Sequence, residues 1–364
     1  MNRCHVWFGL FFLAIAVGTA GTRIVVTDAG ADNTGKSDAT SVIQRCIDTV
    51  SRKGGGTVYL PPGVYRVGSL SLGAGTRLQL AGGAKSARIG YTEEVRKSTL
   101  DPSVSAILRT SGKSTCSIFL YNLVTPAYCT NGVGDITVSG GVFDCQGKMK
   151  VLAFACGRKI RIENMIVKDI PNNHAFQIDG CENVVITNCL FAGYRMGKVL
   201  TRETIQIEQT SPYAITGNPD RWPSPIQCSK KDAFINRNVR VAGCWFGPSE
   251  KSGPHLVAVG HHGRVPTCAG FSFVGNTVVE PLYCGLHLPD FTDVVISDNT
   301  FIATNRVREL AQDAAMISLY GQRPRAPGSP TVRIFGNRFV LDPEHPRKKL
   351  FVSEPRRADV SFHE

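Results

Sequence analysis

The side chains best placed to do chemistry lie in three short alternating runs, HAFQID (174–179), TIQIEQ (204–209) and LVAVGH (256–261). Side chains of a strand alternate between its two faces. With Phe176 and Ile178 inward, and likewise Ile205 with Ile207 and Val257 with Val259, the residues between them point out. Stacked as neighbouring rungs, the runs predict one outward file of Gln177, Gln206 and Ala258. A second file holds Asp179, Glu208 and Gly260, with His287 on the following rung. His174, Glu203 and His255 stand at the strand starts, and His261 and His262 leave the last strand.

Two carboxyl groups one rung apart raise each other's pKa and leave one of them protonated. Glycoside hydrolysis needs that arrangement, one carboxylic acid and one carboxylate across the scissile bond. Asp179 and Glu208 are the first catalytic candidates and Glu203 the next, with His261 or His262 tuning the acid or holding substrate. Gln177 and Gln206 form an amide ladder beside them, and His174, His255 and His287 are candidate substrate contacts. Arg202 and Arg264 flank the patch. Either suits bidentate capture of a uronate carboxylate, or serves as the base of a lyase. A Pro-rich stretch of about 209–237 carries Tyr213 and Trp222, and long loops of this kind build binding walls.

The elements that hold these residues come from a repeat, which self-similarity at 20–50 residues reveals. A pattern Φ-x-Φ-x-[Asn/Gly/Asp]-x-x-Φ recurs as ITVSGGVF (136–143), IRIENMIV (160–167), VVITNCLF (184–191), VRVAGCWF (239–246), FSFVGNTV (271–278), VVISDNTF (294–301) and VRIFGNRF (332–339). The equivalent positions Val138, Ile162, Ile186, Val241, Phe273, Ile296 and Ile334 follow one another at 23 to 55 residues, the longest step being the one that contains the 209–237 loop. A further strand follows each copy. Such units are too small to bury their own apolar faces, so stacking must bury one continuous core. The predicted fold is all-β, a right-handed parallel β-helix over residues 21–354, with 355–364 as a tail. A β-propeller would want longer, more regular repeats of antiparallel strands.

Before the repeat, Val42, Ile43, Cys46, Ile47 and Val50 make one apolar face of a helix at roughly 38–53, stopped by Gly54-Gly55-Gly56. A solenoid end exposes an apolar cross-section, and this helix is the expected N-terminal cap.

The run Gly30-Ala31-Asp32-Asn33-Thr34-Gly35, followed by Asp38-Ala39-Thr40 and then by GGGTVYLPPGVY (54–65), resembles the opening of the pectate lyase-like β-helix superfamily, in particular its glycoside hydrolase family 28-related branch. With the repeats, the resemblance covers roughly residues 22–345. It implies action on polysaccharides, by hydrolysis or by lyase β-elimination. The family 28 polygalacturonase residues are not all present. There is no Asp-Asp, TIQIE (204–208) replaces an Asn-x-Asp strand, Gly260-His261-His262-Gly263 stands for Gly-His-Gly, and Arg333-Ile334-Phe335 lacks the lysine of Arg-x-Lys.

Composition bounds the function. The chain has 364 residues, 42% hydrophobic and 19% charged, which excludes a disordered polymer. Arg3, the apolar run Val6–Val17 and the small residues Gly18-Thr19-Ala20 read as a signal peptide over 1–20, so the expected location is secreted or extracellular, with no membrane span after cleavage. Of the twelve cysteines Cys4 falls in that leader, and the odd number remaining shows no C-x-x-C pair. No metal site or cofactor is expected from the residues, with calcium entering only if the chemistry is that of a lyase. Cys116 and Cys129 are the candidate disulfide, and other cysteines at apolar strand positions act as small hydrophobes. The net charge of +12 suits an anionic polysaccharide substrate; the basic residues are scattered along the chain, and no nucleic-acid partner is expected. The function expected is therefore a glycoside hydrolase on an acidic, uronate-containing glycan. A polyuronate lyase is the alternative. A non-catalytic glycan-binding β-helix comes third, because a pure binding face needs aromatics more than gathered carboxylates.

Overall fold

Each copy of the pattern folds as a strand, a two-residue corner and a second strand, with the Gly, Asn or Asp of the pattern first in the corner. The corner residues Gly140, Asn164, Asn188, Gly243, Gly275, Asp298 and Gly336 all adopt left-handed φ between 52° and 75°. Only Gly, and to a lesser degree Asn and Asp, enter that region readily, which is why the pattern restricts this position. The computed structural model describes residues 21–85, 87, 90–112, 118–122, 133–197, 202–210, 234–261, 266–304, 315–320 and 332–342, together with the backbone of 349–354 and 360–362.

Among the described residues the strands assemble into three parallel sheets of eleven, ten and nine strands. Sheet one runs from Thr22–Val25 to Val360–Phe362, sheet two from Thr34–Asp38 to Arg338–Leu341, and sheet three from Leu70–Leu72 to Lys349–Glu354. Successive turns of chain add one strand to each sheet, the right-handed parallel β-helix expected. The registers match the sequence alignment: Val138, Ile162, Ile186, Val241, Phe273, Ile296 and Ile334 are consecutive partners along sheet one. The terminal segment differs from expectation. Val360–Phe362 is not tail but the last strand of sheet one, pairing with Val332–Ile334, because its short apolar–polar–apolar alternation continues the rung.

The interior is stacked side chains. Phe191 lies 4.7 Å from Phe246 with rings nearly parallel, and Phe301 lies 5.3 Å from Phe339. At the inner side of the corners Asn276, Asn299 and Asn337 form a ladder in which each side-chain oxygen accepts the backbone N–H of the rung before. Eight cysteines of the described residues are buried, packed as small apolar groups; Cys116 and Cys129 lie outside the described residues.

The Thr40–Arg52 helix buries Ile43, Cys46, Ile47 and Val50 against the first strands, closing the N-terminal end as a cap. A second covering was not expected. The outer face of sheet two carries Val142, Ile166, Leu190 and Trp245, and over it lie Ala84, Ala87 and residues 90–100, including a helix Glu93–Thr99, with Tyr91, Val95 and Leu100. Beside this strap, buried Lys168 donates to Glu250 at 2.7 Å.

Candidate functional site

Sheet three positions the predicted residues. On the strand Phe176–Asp179, Phe176 and Ile178 pack in the core while Gln177 and Asp179 face away from it. Its neighbour Glu203–Glu208 repeats the arrangement, so that Gln177 pairs with Gln206 and Asp179 with Glu208, as expected. Adjacent strands are about 4.7–4.9 Å apart, which brings the two carboxyl-bearing side chains onto neighbouring rungs of one file.

The next rung departs from expectation by two residues. Ile205 pairs with Val259 and Gln206 with Gly260, so Ala258 is not in the glutamine file and Gly260 is not beside Glu208. Gly260 in turn pairs with His287, which places His287 in the glutamine file. A slip of two leaves every side chain on its predicted face, so alternation alone cannot detect it. A Cβ on Gly260 would overlap the His287 carbonyl oxygen, and only glycine fits. Gly260→Ala is expected to cost about 1–3 kcal/mol through forced backbone displacement, measurable as a lower midpoint in chemical denaturation; an unchanged midpoint would refute this close approach.

Asp179 is 2% exposed, whereas Glu208 is half-buried. Asp179 Oδ2 accepts from Gln177 Nε2 at 3.0 Å, and Oδ1 has no hydrogen-bond partner among the described residues. Burial first, and the Glu208 charge second, hold the Asp179 carboxyl well above the usual carboxylate range. Lys150, which the sequence reading did not single out, opposes this in part: its Nζ donates to Gln177 Oε1 at 2.9 Å. Lys150, Gln177 and Asp179 thus form one hydrogen-bonded chain. Lys150 opens the strand before Phe176–Asp179, and its position ahead of the apolar run VLAFA was the available signal.

The strand starts make a separate cluster. His174 Nδ1 lies 2.7 Å from the Glu203 carbonyl oxygen and 3.7 Å from its carboxylate. With that nitrogen donating to the carbonyl, Nε2 becomes an acceptor towards Arg202 Nη1 at 3.5 Å. Glu203 is fully buried, its carboxylate turned towards His174. His255 is interior and satisfied on both ring nitrogens. Nε2 donates to the carbonyls of Phe191 and Gly247, and Thr204 bonds Nδ1. Burial depresses its pKa to about 4, so it is a neutral packing group rather than a substrate contact. His261 is buried at the end of its strand, and its N–H donates to His287 O. His287 is half-buried, Nδ1 donating to His261 O. His262, Arg264, Tyr213 and Trp222 lie outside the described residues, as does 211–233 of the expected loop.

The face therefore sets a buried carboxyl of raised pKa next to a more accessible one, with a cation and an amide in its hydrogen-bonded chain. Comparisons with known proteins bear on what such a face serves. The family model described as rhamnogalacturonase A/epimerase, pectate lyase-like, matches residues 23–211. Plasmin and fibronectin-binding protein A of Streptococcus pneumoniae is 29% identical over 339 residues, 83% of this chain and 43% of that protein. Mannuronan C5-epimerase AlgE4 of Azotobacter vinelandii is 32% identical over 126 residues, 34% of this chain and 21% of that protein. The chain spans less than half the length of these curated relatives. Among solved structures, the pneumococcal surface adhesin PfbA matches with a TM-score of 0.69 and 22% identity over 94% of this chain and 79% of that one, a likeness of fold.

Proposed function

Because the chain belongs to the rhamnogalacturonase A/epimerase, pectate lyase-like family, we propose that it is an exported enzyme that hydrolyses an acidic glycan on the outer face of sheet three. One observation carries the reading: Asp179 is buried on the rung beside Glu208, where burial first and that neighbouring charge second push its pKa upward. Asp179 is the general acid that protonates the leaving oxygen, and Glu208 is the carboxylate partner that activates water or meets the anomeric carbon. Gln177 orients the acid, Lys150 binds a uronate carboxylate at the next rung, and Gln206 and His287 contact the sugar along the file. Glu203, His174 and Arg202 brace the strand starts, with Arg202 available at their edge. Among the described residues no helix is long and apolar enough to cross a membrane. Export rests on the leader at 1–20 and agrees with the surface location of the pneumococcal relative.

A second reading, proton abstraction beside a uronate carboxylate, is favoured by the match to a mannuronan C5-epimerase. Incubating the protein with a panel of acidic polysaccharides separates the two. Hydrolysis releases reducing ends without ultraviolet absorbance; proton abstraction gives either unsaturated uronates that absorb, by elimination, or an inverted C5 seen by NMR without cleavage, by reprotonation. For hydrolysis, Glu208→Gln keeps shape and should lower kcat by roughly 10²–10⁴ with an unchanged melting curve. For elimination, Arg202→Ala or Arg264→Ala should be the severe change and Glu208→Gln the mild one. Binding without turnover would leave a glycan-binding protein.

A further inference from the structure

Sheet one, a different face of the solenoid from the proposed catalytic one, carries its own regular array. The registers place Arg23, Arg77, Arg161 and Arg240 in one outward file, each separated from the next by a single rung bearing Thr57, Thr137 or Val185. Arg333 continues the file after Ser272 and Val295. All five arginines are exposed, and the residues between them are short and half-buried. Two rungs are about 9.5 Å, so the first four arginines repeat at that period.

Folding alone does not ask for this pattern. Opposite charges on neighbouring strands stabilise a sheet, so a file built only for stability would set acids between the arginines, and none is there. Arg77, Arg240 and Arg333 make no ion pair or side-chain hydrogen bond among the described residues. Arg161 lies 3.7 Å from Glu163, and Arg23 donates to Gln79 and stacks over Tyr59. Of the other acids on this face, Glu182 is paired with Arg158 and Asp135 with Lys159, at 3.4 and 3.7 Å. Asp298 borders the shallow groove that contains Arg240, and Asp293 lies at the start of its strand.

We propose that this face binds a linear acidic glycan laid along the solenoid axis, with an anionic group on every second sugar meeting successive arginines. An extended glycan advances by about one rung per sugar, so an alternating disaccharide repeat has the period of the file. A guanidinium captures a carboxylate or sulfate through paired hydrogen bonds. Duplex nucleic acid carries one phosphate per strand for about every 3.4 Å of helix axis, on strands that wind away from a straight file instead of meeting one arginine every two rungs. The site is independent of the hydrolase reading and could hold a polymer whether or not sheet three cleaves it.

The test measures binding by isothermal titration calorimetry with hyaluronan (one carboxylate per disaccharide), chondroitin sulfate, polygalacturonate, dextran and a DNA duplex. Tightest binding is expected for the two alternating polymers, with their comparison separating carboxylate from sulfate as the preferred anion. Arg77→Gln/Arg161→Gln/Arg240→Gln should weaken it by roughly tenfold or more, each lost charge-assisted contact adding to the effect. The melting temperature and any turnover by sheet three should not change. Arg161→Thr with Val185→Arg keeps the net charge but breaks the period, and should also weaken binding. Equal affinity in that variant, tightest binding to DNA or to polygalacturonate, or no response to the triple change would each overturn the proposal.

Discussion

Asp179→Asn is expected to lower kcat on the cleaved glycan by at least roughly 10²–10⁴, the contribution of a positioned acid, while the protein is at least as stable as the wild type at neutral pH. The asparagine keeps an oxygen for the Gln177 Nε2 hydrogen bond and the shape of the side chain, and removes only the transferable proton. The pH dependence gives an independent check. Burial and the neighbouring Glu208 raise the Asp179 pKa in the folded state above its value in the unfolded chain. A raised carboxyl contributes stability that is present below the unfolded pKa and lost as pH rises towards and through the folded one. The wild type should therefore lose stability across the range above the ordinary carboxylate pKa, and Asp179→Asn should lose less there. The alkaline limb of the activity profile should lie well above that ordinary range for the same reason. Retained turnover in Asp179→Asn would move the acid elsewhere; an unchanged slope of stability against pH would mean that Asp179 is ionised in the fold.

Much of this architecture was legible because one local rule recurs. The corner residue must adopt left-handed φ, so Gly, Asn or Asp marks every copy, and all seven marked positions are corners. The facing of Gln177, Asp179, Gln206 and Glu208 followed from alternation with the isoleucines between them. What alternation cannot give is register. The slip that sets Gly260 opposite Gln206 preserves facing, and it is fixed by Val259 matching Ile205 and by the close approach of Gly260 to His287. Nor does outward mean exposed: Asp179 and Gln206 leave the core yet are buried, and that burial is the first cause of the raised Asp179 pKa. His255 read as a surface imidazole and proved an interior one, because its partners are main-chain carbonyls of Phe191 and Gly247 that no side-chain pattern reports. The strap over sheet two depends on contacts between residues as far apart as Ala87 and Asn188, which no local pattern encodes. The arginines looked scattered along the chain because rungs are added at uneven intervals; only the paired registers put Arg77, Arg161 and Arg240 in line.

The largest loss of stability from one side chain is expected at Phe246. Its ring stacks on Phe191 at 4.7 Å with planes 5° apart, meets Phe273 at 6.2 Å on the next rung, and lies nearly perpendicular to the His255 ring at 6.0 Å. All of these neighbours are buried, and a closely packed interior does not collapse to fill a deleted ring. Phe246→Ala removes the transfer energy of the ring and leaves a cavity between rungs, a change of about 3–5 kcal/mol. The cavity also loosens His255, whose hydrogen bonds to Phe191 O and Gly247 O tie the corner of sheet two to the start of sheet three. Because each rung of a solenoid is stabilised mainly by its immediate neighbours, the damage should be local at first. Hydrogen exchange should quicken in the rungs holding Phe191, Phe246 and Phe273 while the helix-capped N-terminal rungs stay protected. Below its lowered melting temperature the variant should still hold Asp179 and Glu208 in register, since that pairing is made by the backbone of their own strands. A loss under about 1 kcal/mol, less than the range for deleting a buried aromatic ring, would show that the phenylalanine stack is filler rather than a structural column; uniform quickening across every rung would show that the solenoid opens as one cooperative unit.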